Sequence, residues 1–178
     1  MSMWWSLHLR REAASVPLAR RFLLGTMETA GVDPDVSYDL SVALSEACAN
    51  AVEHGGRGDE DVPDPGRADA GQPGQACGQY RVTAYLDGGR CRIEVADSGP
   101  GFPARHALRA GPHAPPGCQA DPQAPDTRPP AMAESGRGLC LIEELADHVH
   151  FGNRPGHGAV VSFDKVLKWR EGALLMVS

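Results

Sequence analysis

The sequence predicts an α+β fold, a two-layer sandwich with helices on one face of a mixed, mostly antiparallel sheet. Three observations predict it. Strand-like alternation opens the chain, recurs on both sides of Asp87-Gly88-Gly89, and returns near the end. Helix-periodic stretches come as a block of two after the first strand and singly before the last pair of strands. The adjacent glycines between the central strands supply the positive φ values of a tight hairpin, which joins antiparallel neighbours.

Each element has its own signal. Trp5, Leu7 and Leu9 alternate with Ser6, His8 and Arg10, giving a strand with one buried face. A helix is expected from about Ser15, with Pro17 tolerated in its first turn and Gly31 closing it. Asp33-Pro34 makes an N-cap and first-turn pair for a second helix, which carries Val36, Leu40, Ala43, Leu44, Ala47 and Ala51 at helical spacing and stops at Gly55-Gly56. Residues 57–78 are rich in Gly, Pro and Asp and read as a flexible insertion. Strands follow over Tyr80 to Leu86 and Cys91 to Ala96. Residues 98–135 hold nine of the fifteen prolines, and a loop this long inside a compact domain is functional or disordered. From Gly138 a helix runs through Leu139, Leu141, Ile142 and Leu145. Val149 with Phe151 begin one strand, and Ala159, Val161 and Phe163 alternate in another.

Bulk properties narrow the class. A chain of 178 residues with 42% hydrophobic content is the size of one globular domain, expected over 1–165, with a C-terminal tail over 166–178. The tail's Trp169, Leu174, Leu175 and Met176 fit packing within the chain or against a partner. The net charge of -6, with no Lys/Arg block, argues against direct nucleic-acid binding. No apolar run approaches the roughly 20 residues of a membrane span. Five scattered cysteines, with no C-x-x-C pair and no signal peptide, point to a reducing cytosol, with Cys48 and Cys140 in the core. No G-x-x-x-x-G-K-[ST] motif is present, so a P-loop is excluded. His148, His150 and His157 lack a carboxylate or Cys at ligand spacing and read as surface histidines rather than a metal site.

Chemistry gathers at three places. In the second helix Glu46, Asn50 and His54 are four apart and share a polar face. A strand runs into Asp97-Ser98-Gly99-Pro100-Gly101, whose glycines let backbone approach a flat ligand. Glu134-Ser135-Gly136-Arg137-Gly138-Leu139 places a G-x-G at the start of a helix, where free N–H groups and the dipole attract phosphate. Taken singly, these are a solvated helix face, a common turn and a capped helix.

In this order, and over nearly the whole chain, they resemble the Bergerat-fold ATPases: gyrase, Hsp90, MutL, histidine kinases and the anti-sigma serine kinases. Leu44 through His54, and Gly136-Arg137-Gly138-Leu139 running on to Leu145-Ala146-Asp147, look like the anti-sigma kinase branch. The resemblance implies that ATP and Mg²⁺ are bound, with residues 98–135 as a mobile ATP lid. It implies Asp97 accepting from the adenine amine, with Gly99 and Gly101 in the adenine turn. Gly136, Arg137, Gly138 and Leu139 would then line the phosphates, and Asn50 would offer its amide oxygen to Mg²⁺. Glu46 would orient or deprotonate the attacking hydroxyl, and Arg137 would supply charge toward the β- or γ-phosphate. One position departs: Ala159 follows Gly158 where the family has Thr, a lost hydroxyl worth about 1 kcal/mol of nucleotide affinity.

The chain length leaves no room for a phosphorylatable-histidine helix pair or a transducer domain. The resemblance therefore implies a cytoplasmic anti-sigma factor with protein-serine kinase activity. Its partners would be a sigma factor, an anti-anti-sigma protein phosphorylated on serine, and a second copy in a homodimer. Two alternatives stand beside it: a nucleotide-sensing partner switch without useful catalysis, and a bare ATPase.

Overall fold

The computed structural model describes residues 2–55, 78–99, 130–154 and 158–172. All of the insertion expected over 57–78 except Gly78, and most of the proline-rich stretch, including Gly101, lie outside them. Five strands form one sheet: β1 (Ser2–Arg10), β2 (Gln79–Asp87), β3 (Arg90–Asp97), β4 (His148–Arg154) and β5 (Gly158–Val166), in the order β1-β2-β3-β5-β4. Every pairing among the described strands is antiparallel, where a mixed sheet was expected. The cause is the connectivity. β1–β2 and β3–β5 meet across the sheet in opposite senses, and the other two pairs are hairpins.

Three helices cover one face. Helix α1 (Ser15–Ala30) ends at Gly31, whose φ of 81° is the left-handed conformation of a helix C-cap. Helix α2 (Pro34–His54) begins where Asp33 accepts from the N–H groups of Asp35 and Val36, with Pro34 at the first helical position. Its buried stripe of Val36, Leu40, Ala43, Leu44, Ala47, Cys48 and Ala51 turns the opposite side, with Glu46 and Asn50, away from the core.

Helix α3 (Pro130–Leu145) corrects the sequence reading. It begins eight residues before Gly138, so residues 130–135 are helical rather than loop. Gly136 and Gly138 therefore lie inside the helix and not at its N-terminus. The physical reason is plain afterwards. Pro130 suits a first helical turn, and Ala131, Met132, Ala133 and Glu134 are strong helix formers hidden behind a proline run.

The core lies between the layers. Val82, Ala84 and Leu86 of β2, Ile93 and Val95 of β3, and Val161 and Phe163 of β5 face Leu23, Met27, Leu40, Leu44 and Ile142 of the helices. Cross-strand register stacks Ala84 beside Ile93 and Ile93 beside Phe163. The other sheet face carries Trp4 stacked on Tyr85, centroids 6.4 Å apart, both exposed. The start of the tail joins the fold: Leu167 is buried, Trp169 bridges to Val32, and Lys168 accepts from the N–H of Asp33. Cys48 and Cys91 are free and buried, whereas Cys140, expected in the core, is half-buried and disulfide-bonded.

Candidate functional site

Asp97 is the last residue of β3 and is 8% exposed. Its Oδ1 accepts two main-chain hydrogen bonds, from Gly99 N–H at 2.9 Å and from Ala159 N–H at 3.1 Å. The first closes the turn after β3, and the second ties that turn to the start of β5. Among the described residues Oδ2 accepts no hydrogen bond. Burial raises the Asp97 pKa above its ordinary value. The Gly99 and Ala159 N–H groups, then the charges of Arg11 and His54, oppose that rise.

Glycine backbone walls this carboxylate. A Cβ on Gly99 would stand 2.4 Å from the Gly55 carbonyl group at the end of α2. Gly158, with φ at +80°, would put a Cβ 2.6 Å from Asp97 Oδ1 and 2.5 Å from Gly99 O. No side chain fits at either place, so three backbone segments close on one acidic group.

Glu46 and Asn50 lie one turn apart on α2 and are both half-buried, as is His54. Glu46 Oε2 reaches α3: it is 2.7 Å from where a Cβ on Gly138 would begin. The structure thus brings Glu46 and Gly138 together, and Asp97 and Gly99 together. Leu139 is buried in the core under the same helix, and Arg137 is exposed. With Gly136 and Gly138 mid-helix, the phosphate argument from a helix N-terminus does not hold at these residues.

Two features escaped the sequence. Position 159 contributes through its N–H, so the missing Thr hydroxyl leaves the bond to Asp97 intact. Arg11, just past β1, donates from Nε to Ala51 O at 3.2 Å and from Nη2 to Val52 O at 3.1 Å. No motif marks it, since both acceptors are some forty residues along the chain.

Comparison with known proteins bears on family and fold. Residues 9–165 match the family model of the histidine kinase-like ATPase domain. The serine-protein kinase RsbW of Bacillus licheniformis is 29% identical over 152 residues, covering 85% of this chain and 78% of that protein. The serine-protein kinase RsbW of Bacillus subtilis is 27% identical over 141 residues, covering 79% and 72%. In fold, the chain is similar to a crystal structure of the RsbU and RsbW domains of a Mycobacterium tuberculosis protein, with a TM-score of 0.53 at 18% identity. That likeness covers 92% of this chain and 33% of the larger one.

Proposed function

This chain belongs to the histidine kinase-like ATPase domain family, and on that premise we propose that it is an ATP-dependent protein-serine kinase acting as an anti-sigma factor. The observation that carries the reading is the Asp97 cradle. A buried carboxylate held by two backbone N–H groups, with glycine on every side, suits the amine edge of adenine. Guanine presents a carbonyl there and would be repelled.

Glu46 then acts on the substrate hydroxyl. Its carboxylate takes the serine proton as the serine oxygen bonds the γ-phosphorus and the bridging P–O bond to ADP breaks. Asn50, one turn away, suits Mg²⁺ because a neutral amide oxygen is a hard donor and phosphates complete the shell. Bound there, the ion would neutralise charge on the transferring phosphoryl group. No group of three or more acidic, His or Cys side chains able to hold a metal exists among the described residues, so phosphate oxygens are part of the fit. Gly99, Gly101, Gly136, Arg137, Gly138 and Leu139 remain proposed nucleotide contacts, with Arg137 the cation nearest the phosphates.

The proposed partners are a sigma factor, an anti-anti-sigma protein as phosphate acceptor, and a second copy of this chain. The proposed compartment is the cytoplasm, where ATP is abundant. No described helix is long and apolar enough to cross a membrane.

The test is phosphoryl transfer from labelled Mg·ATP to the serine of a cognate anti-anti-sigma protein. Wild-type chain should transfer, and Glu46→Ala should bind ATP without transferring. Transfer by Glu46→Ala at the wild-type rate would remove Glu46 from the chemistry.

A further inference from the structure

Main chain and side chain both hold Arg11 in place. Its N–H donates to Gly78 O at 2.7 Å, and its guanidinium donates to the Ala51 and Val52 carbonyls in the last turn of α2. That turn is the negative end of the helix dipole, a natural seat for a cation. A helix cap alone would account for these bonds. What goes further is the neighbour across Gly55. From the point where a Gly55 side chain would begin, Arg11 Nε is 3.1 Å away and Asp97 Cβ is 3.0 Å away. The Arg11 and Asp97 side chains thus border the same side of Gly55, with Arg11 half-buried and Asp97 buried, where charge is poorly screened.

We propose that Arg11 is a positioning residue for the nucleotide site: pinned on two α2 carbonyls, its fixed positive charge holds Asp97 as an ionised acceptor and seats the end of α2 against the Asp97 turn. The proposal rests on the reading of Asp97 as the adenine acceptor. It fits the electrostatics. Burial pushes Asp97 toward the neutral form, which could not accept from an amine as readily, and Arg11 opposes it. Among the described residues the other charged group facing Asp97 is His54 on α2, itself 3.7 Å from Glu53. Tyr80, beside Asp97 on β2, is buried and neutral, with its hydroxyl on Ser15. Ala159 on β5 brings only its N–H.

The experiment is calorimetric titration with Mg·ATP from roughly pH 4 to pH 8 for wild type, Arg11→Lys and Arg11→Gln. The ligand's own protonation is common to all three and cancels. Without the charge Asp97 titrates higher, so Arg11→Gln should lose binding at a higher pH than wild type. The difference should reach about fivefold in affinity at the acid end and shrink at the alkaline end. Arg11→Lys should keep the wild-type midpoint. If Arg11→Gln does not fold, Arg11→Met, which keeps the aliphatic stem, takes its place. A common midpoint for wild type and the uncharged variant overturns the proposal and leaves a helix cap. So does a Lys variant that moves as far as the Gln variant. Absence of ATP binding by wild type removes the reading of Asp97 itself, and the proposal with it.

Discussion

Glu46 Oε2 on α2 lies 2.7 Å from the point where a side chain at Gly138 on α3 would begin, so the carboxylate rests against helix backbone. Gly138→Ala must push Glu46 aside. In a helix interior that substitution otherwise stabilises by about 1 kcal/mol. The expected variant is at least as heat-stable as wild type, yet transfers phosphate about tenfold more slowly or worse. Thermal melts and transfer rates measured together check it; an unimpaired rate would show that Glu46 works from another position.

Asp97→Asn should separate stability from binding. Asp97 titrates above its unfolded-state value because burial disfavours the charge. Its ionised form therefore costs stability at neutral pH. The wild-type fold regains that cost as pH falls through the folded value, and fully below the unfolded one. The variant's amide oxygen can still accept from Gly99 and Ala159. Without nucleotide it should melt at or above the wild-type temperature at neutral pH, and the difference should shift toward wild type on acidification. With Mg·ATP it should bind about tenfold more weakly or not at all. A neutral-pH melting temperature well below wild type would contradict the account.

Phe163 is 1% exposed and pairs across the sheet with Ile93 and Val149. Phe163→Ala should cost about 3–5 kcal/mol in urea unfolding, the usual loss for a buried aromatic. Trp4→Ala removes a side chain that is 68% exposed and should cost far less. Equal losses would mean the outer sheet face is covered in solution.

Cys48 and Cys91 should resist thiol reagents. Burial pushes the pKa of each up to about 12, so almost no thiolate exists at pH 8. Mass spectrometry after brief labelling of native protein should find both unmodified, with labelling appearing on denaturation. Rapid native labelling of either would mean that α2 or β3 opens locally.

Much of this was legible before the structure. The Asp33-Pro34 cap and the stripe from Val36 to Ala51 fixed α2, and with it the face shared by Glu46 and Asn50. The Asp87-Gly88-Gly89 turn located β2 and β3 to within a residue at each end. The start of α3 was hidden because Pro129-Pro130 closes a proline run and resembles its continuation. Arg11 was hidden for another reason: a side chain that acts on carbonyls forty residues away leaves no local pattern.

The hydrogen bond from Ala159 to Asp97 has a consequence for reading relatives of this chain. A contact made by the main chain is indifferent to the letter written at that position. Nineteen of the twenty amino acids carry the needed N–H, and proline alone would break it. A motif that demands threonine there measures an added hydroxyl, while the strut between the two strands survives in sequences the motif would reject.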